Sequence, residues 1–73
     1  MTYQEPVYRF RVMRQLNDRL RNPNGDWSLI YSTRSEDDAE REATRQRKIW
    51  GDLGDKIIVV DFGKDTFITR EVY

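Results

Sequence analysis

The sequence predicts an α+β domain in the order ββαββ, a four-stranded, mainly antiparallel sheet with one helix packed on one face. Three observations predict it. The stretches "VYRFRV", "DWSLIYSTR" and "TFITREVY" alternate with period two, as half-buried strands do. "KIIVVDF" is apolar at both parities, the pattern of a strand covered on both faces. Between the second and third strands in chain order, "SEDDAEREATRQRKIWG" changes to helical spacing and runs from acids to bases.

Residues 1–6 read as a polar leader closed by Pro6. The first strand spans 7–16, with Tyr8, Phe10 and Val12 on one face and Arg9, Arg11 and Met13 on the other. "NDRLRNPNGD" collects the Asn, Asp, Pro and Gly that supply turn geometry and positive φ, so a long exposed hairpin loop follows. The second strand, 26–33, groups Trp27, Leu29 and Tyr31 as the core face, with Ser28, Ile30 and Ser32 opposite.

The helix covers 36–50. Ser35 is a good N-cap with Asp38 three residues on, the last turn carries Arg47 and Lys48, and Gly51 stands where a left-handed C′ residue belongs. Ala39, Ala43, Gln46 and Trp50, flanked by Ile49, fall on one stripe, and the alanines let the axis lie close to a sheet. After "DLGD" the third strand, 56–62, sets Ile57 and Val59 against Ile58, Val60 and Phe62. "GKD" is a short glycine-containing turn into the fourth strand, 66–72, where Ile68 and Val72 oppose Phe67, Thr69 and Glu71. Alternation leaves the strand order open; a right-handed crossover from second to third strand is favoured if the two are parallel.

Seventy-three residues make a single domain, 1–73, and a chain of that length leaves roughly 40% of its unfolded surface exposed after folding. Self-association would help so small a core. Thirteen bases balance thirteen acids, which argues against a uniformly basic polyanion binder. The balance is uneven: 1–34 carries six arginines against Glu5, Asp18 and Asp26, and the remainder is acidic by the same margin. The chain has no cysteine and no histidine, so disulfides, thiolate metal sites and the usual general bases are excluded. No apolar run approaches the ~18 residues of a membrane span, and a cytoplasmic location is expected.

Candidate chemistry is correspondingly thin. The acids Glu36, Asp37, Asp38, Glu40 and Glu42 sit where the helix dipole already favours negative charge, and they read as structural. "NPNGD" fails as a calcium loop because Gly25 is out of step with its ligand positions, and the four glycines never cluster into a phosphate cradle. No cofactor, metal or small-molecule substrate is expected. One helix covers one sheet face, however, which leaves Arg9, Arg11, Met13, Ile30 and Phe67 as an uncovered, partner-binding set. A second copy of the chain is the first partner expected, and another protein the next. The alternative is nucleic acid, gripped through Arg9, Arg11, Arg14, Arg19, Arg21 and Arg34. Against it, the aromatics of the first strand alternate away from its arginines. The basic helix end, Arg41, Arg45, Arg47 and Lys48, reads as a solvated face whose charge is partly answered by Asp37, Asp38 and Glu42.

"GDWSLIYSTRSEDDAEREA", Gly25 to Ala43, resembles the small uncharacterised accessory proteins of actinobacterial tailed phages: a Gly-Asp-Trp opening to a strand, a Tyr-Ser-Thr exit, then an acid-rich helix with paired alanines. The resemblance implies a phage-encoded factor acting on a host or phage macromolecule, for example an inhibitor of host defence. It carries no residue role. Together these readings point to a small, non-enzymatic protein-binding accessory module.

Overall fold

The computed structural model describes residues 1–72. Among them the order is β1 (Thr2–Val7), β2 (Phe10–Gln15), β3 (Trp27–Thr33), α1 (Glu36–Trp50), a 3-10 turn (Gly51–Leu53), β4 (Lys56–Asp61) and β5 (Thr66–Glu71). The α+β class and the helix agree with expectation. The single four-stranded sheet does not: the strands form two antiparallel sheets, β3-β2-β4 and β1-β5.

The expected polar leader is itself a strand. β1 pairs with β5 from Thr2↔Glu71 to Val7↔Thr66, and β2 pairs with β4 from Phe10↔Asp61 to Gln15↔Lys56. Two long segments thus run side by side, interrupted by Tyr8 and Arg9 on one side and by Phe62 to Asp65 on the other. The expected first strand, 7–16, is broken there, and "GKD" is a kink in a long ribbon instead of a hairpin turn. Gly63 supplies the positive φ of 78° that the kink needs. Pro6 is tolerated inside β1 because both strands of a two-stranded sheet are edges, where a missing N–H faces solvent.

β3 and β4 flank β2 and are both antiparallel to it, so they run in the same direction and α1 is the crossover between them. Its N-terminus is capped as expected, the Ser35 hydroxyl accepting from the Asp38 N–H at 3.3 Å. Its C-terminus differs. Gly51 is right-handed (φ −59°), the chain continues through the 3-10 turn, and the left-handed residue is Gly54 (φ 82°). A Cβ at Gly54 would collide with the Asn17 side chain. The delayed stop lets Asp55 reach beneath the sheet end, where it is buried.

The core lies between α1 and one face of β3-β2-β4. Val12, Ala39, Ala43 and Ile57 are buried together, with Phe10, Ile30, Tyr31, Trp50 and Val59 packed around them. The paired alanines do what their spacing implied: with no side chain beyond Cβ they bring the helix axis close to Val12.

The register of β3 against β2 contains a shift that decides the opposite face. Val12 faces Tyr31, yet Met13 faces Leu29, so Ile30 is an extra residue, a β-bulge. Tyr31 keeps its place on the helix side. Leu29 and Trp27, expected beside it in the core, are carried to the open side with Met13 and Gln15. Ile30, expected on the open face, packs against the core.

Candidate interaction surface

Cross-strand partners share a face, so the register writes out the open side of β3-β2-β4 in rows. The central row is Leu29–Met13–Ile58, entirely apolar. One neighbouring row is Trp27–Gln15–Lys56 and the other is Ser32–Arg11–Val60. Trp27 and Ile58 are each 39% exposed on this side, and Leu29 is nearly as open.

The five residues expected to bind a partner are not brought together. Met13 sits at the centre of the open face. Arg11 shares that face, but its guanidinium donates to the Tyr8 carbonyl at 2.9 Å and the Thr66 hydroxyl at 2.9 Å, and it stacks 4.1 Å from the Phe62 ring. Arg9 lies at the kink, where it grips both Asp61 carboxylate oxygens at 2.7 and 2.8 Å. Ile30 has gone to the core side. Phe67 is 66% exposed but belongs to the separate β1-β5 ribbon.

The kink is a small polar knot. Besides the Arg9–Asp61 fork, the Arg9 N–H donates to Asp65 at 2.9 Å, the Phe62 N–H donates to the Arg9 carbonyl at 3.0 Å, and Arg34 donates to Asp65 while stacking on Tyr8. The Arg9 guanidinium, helped by the Gly63 N–H, lowers the Asp61 pKa to about 2. The kink therefore keeps its negative partner through most of the acid range.

A second polar assembly closes the other end of the sheet. Asp55 accepts from the Asn17 N–H at 2.9 Å and from Arg14 at 2.7 Å, and those contacts, the Asn17 N–H first, lower its pKa. Arg14 also stacks 3.9 Å from the Trp50 ring, whose indole N–H donates to Gln46. The loop between β2 and β3 is ordered in turn by Asp18, which accepts from the N–H groups of Leu20 and Arg21, and by Asn22, which bonds Leu16 and Asp26.

The six arginines of the nucleic-acid alternative are scattered through these assemblies. Arg9 is paired with Asp61, Arg14 with Asp55, Arg21 with Asp18 and Arg34 with Asp65. Arg11 is held by the kink, which leaves Arg19 without a hydrogen bond or ion pair among the described residues. Each paired arginine brings an acid to the same spot, so they do not add up to a basic face. On α1, Asp38 accepts from the Tyr31 hydroxyl and Glu42 from Arg45 and Gln46, while Glu36, Asp37 and Glu40 lie exposed. Among the described residues no three metal-ligating side chains gather, and no helix is long and apolar enough to cross a membrane.

Sequence reasoning missed Trp27 and Leu29 as surface residues and left open whether the Ile57 or the Ile58 side of its strand faces outward. For Trp27 and Leu29 there was no local signal, since the bulge falls within "SLIY", free of glycine and proline. Comparison with family models, curated proteins and solved structures gave no match.

Proposed function

We propose that the chain is a non-enzymatic protein-binding module that works by covering the open side of β3-β2-β4 on another polypeptide. One observation carries this reading: the bulge turns Trp27 and Leu29 outward beside Met13 and Ile58, making a continuous apolar surface with no charge in its central row. Small monomers seldom keep such a surface without a partner. The resemblance of Gly25 to Ala43 to phage accessory proteins supports a setting in which that partner is a host or phage protein, a component of host defence being one case.

The test is retention of a partner from bacterial lysate by immobilised protein. Wild type retains a protein, nuclease treatment leaves it bound, and Leu29→Glu or Ile58→Glu releases it while circular dichroism stays unchanged. Binding of a fluorescent oligonucleotide that weakens steeply with salt, and that Arg9→Glu with Arg11→Glu abolishes, would replace this reading with the nucleic-acid one.

A further inference from the structure

The molecule is too open for its mass. It exposes 5686 Å², whereas a compact monomer of 8.8 kDa exposes roughly 4,800 Å², an excess of about 900 Å². Its radius of gyration is 13.5 Å against about 11 Å for a compact chain of this length. The excess matches the roughly 800 Å² that each partner contributes to an interface of standard size. A chain whose buried apolar core, among the described residues, is Val7, Val12, Ala39, Ala43 and Ile57 gains most from a partner present whenever it is made. A second copy meets that condition.

We propose that the open face is covered by a second copy of this chain, in an isologous pair whose two-fold axis runs across the strands along the row Leu29–Met13–Ile58. The proposal rests on the reading of that face as a protein-contact surface and names its occupant. The rows choose the axis. An axis along β2 would set Arg11 against the partner's Arg11, a like-charge contact that disfavours the pair. An axis across the strands instead lays the apolar central row on itself, Leu29 on Leu29, Met13 on Met13 and Ile58 on Ile58. The flanking rows then exchange: Arg11 meets Gln15, which offers an acceptor, Lys56 meets Val60, and Trp27 meets Ser32. Sheets stacked this way lie about 10 Å apart, within reach of a short crosslinker.

The absence of cysteine makes the test clean. Light scattering on a sizing column is expected to give twice 8.8 kDa for wild type. Leu29→Glu, which brings two carboxylates together on the axis, is expected to weaken the pair by about a hundredfold or more. A short bis-maleimide should join Met13→Cys to itself and Leu29→Cys to itself, and should join Leu29→Cys to Ile58→Cys in a mixture far less. A mass of one chain at high concentration, or a dimer in which the Leu29–Ile58 mixture crosslinks best, overturns the proposal. In the first case, an anilinonaphthalene dye bound by wild type and lost in Leu29→Glu would still leave the face a contact surface for a different protein. A monomer that binds no dye removes both readings.

Discussion

The sheet β3-β2-β4 and the ribbon β1-β5 share two long chain segments, yet different forces hold them. The sheet has a layer on it: Val12 and Ile57 are sealed beneath Ala39 and Ala43. The ribbon has no helix against it. Its inner Val7 is buried, but Tyr3 and Phe67 face water, and its fixed points are polar: Glu5 to Arg70, Gln4 to Thr69, and the knot at Arg9. Isolated two-stranded ribbons are marginal in water. The same alternating sequence thus yields a cooperative layered unit where a helix is available and a tethered arm where it is not.

That contrast can be broken or sharpened by experiment. The largest effect is expected from Val12→Ala, which opens a cavity at the centre of the layer and costs about 2 kcal/mol in urea unfolding, with ribbon amides losing protection together with the sheet. Ribbon protection that survives Val12→Ala would show the arm to be independent. Gly54→Ala forces a left-handed residue to carry a Cβ against Asn17, and a loss of about 1–2 kcal/mol in thermal melts is expected. Ser35→Ala removes the helix cap for about 1 kcal/mol, again read in urea.

The smaller effects should be confined to the arm. Asp61→Asn removes the fork that Arg9 grips, and faster hydrogen exchange is expected at Gln4, Glu5 and Val7 and at Thr66 to Thr69, with α1 amides unchanged. Acid should act in the same place. The folded Asp61 carboxyl, at about 2, lies below its ordinary 3.8, so its stabilisation is complete above about pH 4 and fades as pH falls towards 2. Amide exchange followed down that window should loosen the ribbon before the layer, and Asp61→Asn should flatten the response.

How much of this was legible follows from what alternation records. It recorded strands 26–33, 56–62 and 66–72 to within a residue, and the helix with its cap, because parity and 3.6-residue spacing are properties of the chain itself. The layer was legible in part: Ala39 and Ala43 were assigned to the packed stripe and Val12 to the face opposite Arg9, Arg11 and Met13, whereas alternation left open which side of its strand Ile57 takes. Pairing was not. Residues 1–6 have too few apolar side chains to announce a strand, and they become one through main-chain bonds to β5 and through Glu5–Arg70. The left-handed stop was assigned to Gly51 because the helix signals end there, whereas the chain uses the next glycine, Gly54. The site suffered most, since a bulge reverses faces without a mark: Ile30 and the pair Trp27 and Leu29 exchanged sides. Arginine partners were equally hidden, because Asp61 and Asp65 reach Arg9 only through the kink.

The bulge has one more consequence, for how β3 tolerates change. In a scan of all substitutions along this strand, positions that demand an apolar residue for folding should not repeat at every second site. Tyr31 and Ile30 answer to the helix, while Leu29 and Trp27 answer to whatever meets the open side. Sensitivity in a folding assay and sensitivity in an association assay should therefore trade places at residue 30, dividing a seven-residue strand between two selective pressures.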